Sequence, residues 1–417
     1  MQETGFFLRP VYRAYARHFT SLFAPEGGVR KSIIGAVSAL TALWLTSACA
    51  QAEELKTYLE FIRVQNNLPA LAAAVVKNGE IVEVAATGTR IAGQDIPVSL
   101  DDKFHIGSNT KAMTATLAGM MVDEGKLTWK STIGEILGEK IPGMSGSLQA
   151  ATLEQLLSHS SGIPSDDEEI AALYYDTDAF DHDVSEVRRR IVDRWKDNEL
   201  EIPEGSPFQY SNLGYIIAGL MIEEVSGTTW EQLIRERIFQ PLSMTTAGLG
   251  AQATYGLIDA PVGHQLQPDG TVTPIKWGPA ADAPPSLGPA GIAHMSISDY
   301  AKWAGWNAAK GTRGPQLVKP ETLAEIQSVH VETPPLPSAP PGTPGTGGYG
   351  LGWGMMKFDW AEKRLLAHSG SNSMNLAKIL VDQDQDLAVV VTTNFPGRQA
   401  DDALSGVLGH LYKQYAQ

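Results

Sequence analysis

The chain has 417 residues, of which 43% are hydrophobic and 19% are charged, so it is long enough for one large domain, or two interleaved ones, with a sizeable core. Acidic residues (47) outnumber basic ones (32), and the net charge of −15 argues against a nucleic-acid partner, because surfaces that bind nucleic acids are basic. The single cysteine, Cys49, excludes an internal disulfide and a cysteine-based metal site.

Residues 1–52 have the pattern of an export segment. Basic residues precede an apolar run at residues 32–45, which has about the length of a signal-peptide core. Small residues follow, and both Ala48-Cys49-Ala50 and Ala50-Gln51-Ala52 fit an A-x-A cleavage signal. The sequence therefore predicts a signal peptide over residues 1–52 and a periplasmic or secreted protein.

Other interpretations of this segment stay open. The apolar run would act as a membrane anchor if it were not cleaved, and residues 45–49 are similar to a bacterial lipobox whose leucine lies one place too early. Lipidation of Cys49 would then attach the protein to a membrane. Because the stretch before Arg30 is long for a signal peptide, translation from Val29 is a further expectation.

The next elements follow in chain order from residue 53. Apolar side chains recur at helical spacing over residues 53–66 and predict an amphipathic helix. Two apolar runs, residues 71–77 and 80–86, flank Asn78-Gly79, which is the strongest short signal for a β-hairpin. From residue 109 to about residue 287 the pattern is mainly helical.

The C-terminal part of the chain returns to strand-like patterns. A Pro/Gly-rich stretch, residues 333–348, predicts a surface loop. Strands are predicted at residues 350–358, 364–368, 376–381 and 387–393, and a last helix at residues 400–415.

Strands at both ends with helices between them predict an α/β (α+β) fold. A single antiparallel sheet would be built from both ends of the chain and flanked by helices. In this interpretation residues 53–417 form the folded domain. Its α/β lobe covers about 53–107 and 288–417, and a mostly helical lobe is inserted at about 108–287.

The charged segment at residues 165–202 predicts a solvated helical surface or a lid. Asp181-His182-Asp183 is a weak metal pattern, because neither aspartate faces the histidine on a regular helix or strand. No H-E-x-x-H pattern occurs among the nine histidines. We expect neither a metal nor a cofactor.

Ser108 and Lys111 lie at the start of a predicted helix over residues 112–124. At a spacing of three residues, two side chains share one helical face. A serine hydroxyl is a poor nucleophile until a base removes its proton, and Lys111 can be that base or hold the base in place. The pair is a candidate nucleophile site, although Ser-x-x-Lys alone also occurs by chance.

Tyr210-Ser211-Asn212 lies on a predicted turn before a helix at residues 213–225. A tyrosine there can present its hydroxyl to a cleft, and a nearby lysine cation would lower its pKa from the usual value near 10. Ser108, Lys111 and Tyr210 thus form a chemically sensible trio of nucleophile, electrostatic tuner and general base. For Tyr210 taken alone, a buried structural tyrosine is the alternative.

His368-Ser369-Gly370-Ser371 follows a predicted strand. A small residue and a glycine at a strand edge let a substrate lie alongside and pair with the backbone. His368 can hydrogen-bond a substrate carboxylate or the tyrosine. A structural histidine at a strand end is the alternative.

These three motifs, in this order, resemble the S-x-x-K, Y-x-N and K-T-G signature of the serine β-lactamase and penicillin-binding-protein superfamily. The Y-x-N form is that of the branch related to class C β-lactamases, which includes D-alanyl-peptidases and esterases. Residues 156–164, 288–299 and 349–353 are also similar to stretches of that branch. The resemblance covers about residues 54–417 and implies the β-lactamase-like fold.

The resemblance also implies roles for the motif residues. Ser108 would be the acylated nucleophile, Lys111 its activating partner and Tyr210 the general base. Asn212 would orient a carbonyl or amide group of the substrate.

The third motif would supply the rest of the site. The backbone N–H groups of Ser108 and Ser371 would form an oxyanion hole, and His368 would take the place of the K-T-G lysine. This histidine removes a permanent cation where β-lactams and D-Ala peptides place a carboxylate, because histidine is largely neutral at pH 7. Residues 372–375 also lack the glycines that are usual there.

The resemblance therefore implies a secreted serine hydrolase of the esterase or D-alanyl-peptidase type, acting on a small-molecule ester, an amide or a peptidoglycan peptide. A class C-type β-lactamase is the first alternative, and a non-catalytic, penicillin-binding-like cell-wall binding protein is the second. An α/β-hydrolase is disfavoured because the chain has no G-x-S-x-G motif.

Overall fold

The computed structural model of the protein describes residues 53–175, 183–334 and 347–416. The predicted export segment with Cys49, the pair Asp181-His182 and most of the predicted Pro/Gly-rich loop lie outside the described residues.

Helices and strands alternate irregularly along the chain. The helices are α1 (residues 53–65), α2 (Thr110–Asp123), α3 (Ile133–Leu137), α4 (Gly146–Ala150), α5 (Leu153–Leu157), α6 (Glu168–Tyr174), α7 (Val184–Trp195), α8 (Asn212–Ser226), α9 (Trp230–Ile234), α10 (Gly288–Gly291), α11 (Ile297–Ala308), α12 (Pro320–Ile326) and α13 (Arg398–Tyr415). The strands are β1 (Ala70–Lys77), β2 (Glu80–Gly88), β3 (Lys103–His105), β4 (Gly248–Leu249), β5 (Gly263–Leu266), β6 (Val272–Ile275), β7 (Ala293–Ser296), β8 (Val331–Thr333), β9 (Gly347–Tyr349), β10 (Gly354–Lys357), β11 (Arg364–Ser371), β12 (Leu376–Asp382) and β13 (Leu387–Thr393).

The largest sheet joins the two ends of the described chain. Its eight strands lie in the order β2-β1-β13-β12-β11-β10-β9-β8, and neighbours run antiparallel. Strand β1 pairs with β13 from Leu71 opposite Thr393 to Lys77 opposite Leu387. The predicted α/β (α+β) fold, with an antiparallel sheet built from both ends of the chain, is confirmed.

The predicted hairpin forms at β1 and β2. Asn78 and Gly79 both have positive φ angles, 53° and 83°. Two consecutive residues in this region make the tight turn whose twist matches that of the flanking strands, and asparagine and glycine adopt it at little cost.

Both faces of the sheet are covered by helices. Alternate residues of β1 point to opposite sides, so Leu71, Ala73 and Val75 pack with α1 and α13, while Ala72 and Ala74 face α11 and the larger core. Burial on both faces explains why β1, β12 and β13 are almost uniformly apolar instead of alternating.

Helices α2 and α8 form the centre of the larger core. Residues on all sides of each helix are buried, and the two helices pack against each other. A helix that is apolar all round is typical of such a central position. The nucleophile motif begins α2, and Asn212 begins α8, so their packing brings the two motifs together.

Two predicted elements differ from the structure. Residues 240–287 contain the short strands β4–β6 and the 3₁₀ turns Pro279–Ala281 and Pro285–Leu287 instead of helices, because proline cannot continue a helix interior. The strand predicted at residues 350–358 begins only at Gly354. Gly352 makes a turn with φ of 77°, and a Cβ there would lie 2.7 Å from the carbonyl oxygen of Lys111.

No helix within the described ranges combines the length and the apolar character that a membrane crossing requires.

Arg188 corrects the prediction of a solvated surface at residues 165–202. Its side chain on α7 is fully buried and donates to Glu223 Oε1 at 2.7 Å. It also pairs with Glu231 and donates through Nε to the carbonyl oxygen of Ser286 at 3.1 Å. This ion-pair cluster fixes the turn that precedes α10, which reaches the candidate site.

Replacing Arg188 by methionine should lower the free energy of unfolding by about 3–5 kcal/mol, because it leaves the buried Glu223 carboxylate without its cation. Urea unfolding followed by circular dichroism measures this. Arg190→Met is the matched control on the same helix. Arg190 pairs with Glu186 on the surface at 3.1 Å, so its loss should cost about 0–1 kcal/mol. Equal losses in the two variants would contradict the assignment.

Candidate active site

Ser108 lies in a 3₁₀ turn, Gly107–Asn109, between β3 and α2. The turn is held from both sides: the Gly107 N–H donates to His105 Nδ1 at 3.1 Å, and the Thr110 hydroxyl donates to the Gly107 carbonyl oxygen at 2.7 Å. Gly107 has a φ of 53°, and a Cβ there would lie 2.3 Å from the backbone nitrogen of Ser371. The position therefore requires glycine.

Lys111 is fully buried one helical turn after Ser108. Its Nζ lies 3.0 Å from Ser108 Oγ, 2.6 Å from Asn212 Oδ1 and 2.8 Å from the carbonyl oxygen of Ala290. Burial lowers the pKa of Lys111 to about 7, although the Asp166 carboxylate opposes this shift by raising the pKa. The structure thus brings Ser108, Asn212 and Ala290 around the side-chain nitrogen of Lys111.

The three contacts suit the neutral amine of Lys111. A neutral amine has two N–H groups and one lone pair. The two N–H groups can donate to Asn212 Oδ1 and the Ala290 carbonyl, which cannot donate in return. The lone pair is then directed to the Ser108 hydroxyl and can accept its proton.

Tyr210 completes the predicted trio. Its hydroxyl hydrogen-bonds Ser108, and Lys111 Nζ lies 4.7 Å from the centre of its ring. Burial raises the pKa of Tyr210; the hydrogen bond with Ser108 lowers it and the charge of Asp166 raises it further. The expected lowering of the Tyr210 pKa by Lys111 is therefore not found, because the nitrogen lies near the ring and burial disfavours both charges.

Strand β11 passes directly beside Ser108. A Cβ on Gly370 would lie 2.0 Å from the Ile106 carbonyl oxygen and 2.6 Å from the backbone nitrogen of Ser108, so only glycine allows this approach. The backbone nitrogens of Ser108 and Ser371 both lie at this contact between β11 and the turn. An oxyanion hole formed by two N–H groups requires this arrangement.

His368 is held as a neutral imidazole. Its Nδ1 lies 2.7 Å from the Ser369 carbonyl oxygen, so Nδ1 carries the proton, and Nε2 accepts from the Tyr349 hydroxyl at 2.9 Å. Burial, together with a smaller effect of the nearby Lys111, lowers the pKa of His368 to about 4. The tyrosine that contacts His368 is therefore Tyr349 and not Tyr210. Because its pKa is low, the His368 side chain supplies no cation near neutral pH.

The turn after β11 compensates for its missing glycines. Ser373 adopts a φ of 68°, a region that favours glycine. The side chain of Asn372 stabilises this turn, because its Oδ1 accepts from the backbone N–H groups of Met374 at 3.2 Å and Asn375 at 3.0 Å.

His159 has a position that the sequence motifs did not assign. Its ring lies on that of Tyr210 with centroids 4.2 Å apart, and its Nδ1 accepts from the Ser211 N–H at 3.1 Å. Its carbonyl oxygen accepts from the Gln209 N–H at 2.7 Å. His159 therefore fixes the backbone on both sides of Tyr210. The only sequence signal was its place in the family-like stretch 156–164.

Asp166 is a second residue that sequence analysis did not place at the site. Its exposed carboxylate accepts from Asn212 Nδ2 at 2.7 Å and from the Tyr174 hydroxyl at 3.0 Å. The acidic run that contains it gave no signal, because acidic residues are also usual at a helix start; its neighbour Asp167 caps α6. Asp166 puts a negative charge at the rim, next to Lys111.

Comparisons with known proteins point to one family. The profile of the family described as Beta-lactamase matches residues 49–411. Protein flp of Staphylococcus aureus (strain COL) is 25% identical over 343 residues, which cover 82% of this chain and 63% of that protein. The chain therefore spans less than two thirds of the length of this relative.

Two solved structures are similar in fold. The octameric penicillin-binding protein homologue from Pyrococcus abyssi has a TM-score of 0.68 and 23% identity, covering 87% of this chain and 77% of that chain. The D-amino acid amidase from Ochrobactrum anthropi SV3, complexed with L-phenylalanine amide, has a TM-score of 0.64 and 22% identity, covering 85% of this chain and 95% of that chain.

Replacing His159 by alanine should slow phosphonylation of Ser108 by a fluorophosphonate probe roughly 10- to 100-fold, since a small displacement of Tyr210 has effects of this size. Mass spectrometry of the labelled peptide measures the rate. His159→Asn should recover part of it, because asparagine tolerates the φ of 60° at this position and keeps a hydrogen-bond acceptor.

His410→Ala is the control for this experiment. His410 is an exposed histidine on α13 that stacks on Tyr58, and its variant should label at the wild-type rate. Wild-type labelling of His159→Ala would show that the ring does not position Tyr210.

Proposed function

Because the chain belongs to the beta-lactamase family, we propose that it is a serine hydrolase that cleaves neutral ester or amide bonds through a covalent acyl-enzyme on Ser108. The observation that carries this proposal is the contact of 3.0 Å between Ser108 Oγ and the fully buried Nζ of Lys111. A lysine whose pKa is about 7 is half deprotonated at neutral pH and can accept a proton from serine.

Acylation begins when Ser108 Oγ attacks the carbonyl carbon of the substrate and Lys111 accepts the serine proton. The N–H groups of Ser108 and Ser371 donate to the oxygen that becomes negative. The bond to the alcohol or amine then breaks, and the Tyr210 hydroxyl donates a proton to the leaving atom. At the end of the step Lys111 is again a free amine and Tyr210 again carries its proton, so the serine proton has in balance moved to the leaving group.

Deacylation follows the same steps in reverse. Water replaces the departed alcohol or amine, attacks the acyl carbon and loses a proton through Tyr210 and Lys111. Ser108 regains its proton and the acid is released. We therefore assign proton acceptance to Lys111, and to Tyr210 the transfer to and from the leaving group.

Because His368 is neutral, the site favours substrates that have no charged group beside this residue. A carboxylate beside it would meet an uncharged imidazole whose Nε2 already accepts from Tyr349. This favours esters and amides over β-lactams and over peptides that end in D-Ala.

An amidase of amino acid amides is a second candidate. The exposed Asp166 carboxylate lies next to Asn212 and can pair with a protonated amino group of a substrate. The D-amino acid amidase with a similar fold gives this candidate its chemical class.

The proposed role of Lys111 predicts how the rate depends on pH. Lys111 accepts a proton only as the free amine, so kcat/KM for phenyl acetate should fall about tenfold per pH unit below pH 7 and reach a plateau above it. A pH-stat assay of acid release measures the profile. If Tyr210 were instead the base, its raised pKa would make kcat/KM rise beyond pH 10.

Two variants accompany the pH profile. Ser108→Ala should abolish both turnover and labelling, because the variant has no nucleophile. Tyr210→Phe should lower kcat/KM roughly 100-fold or more while the protein stays folded. Ester turnover by Ser108→Ala would contradict the proposal of an acyl-enzyme on Ser108.

The neutral state of His368 predicts the effect of placing a positive charge at residue 368. His368→Lys should raise kcat/KM for nitrocefin or a D-Ala-D-Ala peptide, relative to that for phenyl acetate, roughly 10- to 100-fold, the worth of one charge-assisted hydrogen bond. His368→Gln, which is polar and uncharged, is the control and should leave the ratio near that of the wild type. An unchanged ratio in His368→Lys would remove the argument from charge.

A further inference from the structure

A cavity of about 290 Å³ opens beside the candidate site. It is about twice the size of a cavity of ~150 Å³ that holds benzene, so it has room for a two-ring or medium-chain group. Three residues of the candidate site line the cavity, Tyr210, Tyr349 and His368, and we call this part its near end. The other part, its far end, is lined by Phe358, Trp360 and Leu408, which belong to the smaller core beside α13.

The far end of this cavity is apolar. The rings of Phe358 and Trp360 stack with centroids 4.4 Å apart, and Leu408 of α13 packs beside them. Lys378 also lines the cavity, but its Nζ donates to Ser405 Oγ and to Asp401, each at 2.7 Å. Among the described residues that line the cavity, Lys378 is the only charged one and its charge is paired, which suits a neutral, apolar group.

The position of the cavity shows which part of a substrate would enter it. Around the acyl carbon, the oxygen that becomes negative lies toward the N–H groups of Ser108 and Ser371. The leaving atom must lie within hydrogen-bond reach of Tyr210, which gives it a proton. Because Tyr210 and His368 form the near end of the cavity, a group attached to the leaving atom extends into it.

We propose that this cavity binds the apolar alcohol or amine part of the substrate, so that the protein prefers esters or amides with a large hydrophobic leaving group. This inference rests on the proposed function. In the acylation step an alkyl acetate and Ser108 form acetyl-Ser108, the bond from the acyl carbon to the alkoxy oxygen breaks, and that oxygen takes the proton.

The test compares two series of simple esters. The first keeps the acetyl group and lengthens the alcohol from ethyl to octyl acetate; the second keeps the ethyl group and lengthens the acid from ethyl acetate to ethyl octanoate. In the first series kcat/KM should rise up to about fourfold per methylene until the cavity is filled, whereas the second series should stay nearly flat. Linear alcohols should inhibit competitively, more tightly as they lengthen.

Variants of the cavity wall test its location. Ala367 lines the cavity, and Ala367→Leu should remove the rise for octyl acetate and leave ethyl acetate near the wild-type rate. Leu408→Phe should have the same effect. Leu411→Phe is the matched control, since Leu411 lies on the same helix and is buried away from the cavity.

The outcomes separate the two proposals. If no ester is turned over and Ser108 is not acylated, the proposed function fails and this inference fails with it. If esters are turned over but kcat/KM follows the acid chain, or is indifferent to Ala367→Leu and Leu408→Phe, only the assignment of the cavity is overturned.

Discussion

The candidate site depends on the burial of one amine. Lys111 Nζ has no access to water, so each of its hydrogen bonds must come from the protein. The partners come from three parts of the chain: Ser108 one turn earlier, Asn212 at the start of α8, and the Ala290 carbonyl in α10. The same burial moves the pKa of Lys111 into the neutral range, so one constraint both assembles the site and sets the pKa at its centre.

The rest of the fold keeps these three segments in contact. The buried Arg188 ties α7 to α8 and to the turn before α10, and Gly352 packs the turn before β10 against the backbone of Lys111. On the other side, Gly370 brings β11 against the nucleophile turn. At each contact a larger side chain, or an unpaired charge, would separate the segments.

Local features of the fold could be predicted from the sequence. The hairpin at Asn78-Gly79 and the shared face of Ser108 and Lys111 follow from the geometry of a turn and of a helix, which involve only near neighbours. The sheet followed from apolar runs at both ends of the chain. The proline-rich residues 240–287 were misassigned because a weak helical pattern does not outweigh the backbone limits of proline.

Features that depend on distant contacts could not be predicted. Arg188 lies in a run of three arginines and has no local mark of burial; its partners are 35 and 43 residues away in Glu223 and Glu231. His159 accepts a hydrogen bond from the backbone N–H of Ser211, which lies 52 residues further along the chain. The direction of the Tyr210 pKa shift is likewise a property of the folded environment, so sequence could name the trio but could not divide its roles.

The pairing of β1 with β13 has a consequence for the order of folding. Residues 71 and 393 lie opposite each other in the second and third strands of the sheet, so this ladder closes a loop of more than three hundred residues. Such a contact has a high cost in chain entropy and forms late. During synthesis the edge of β1 that pairs with β13 stays unpaired until β13 has left the ribosome. The sheet, and with it the strand edge beside Ser108, is therefore completed only after the more than three hundred residues between these strands have been translated.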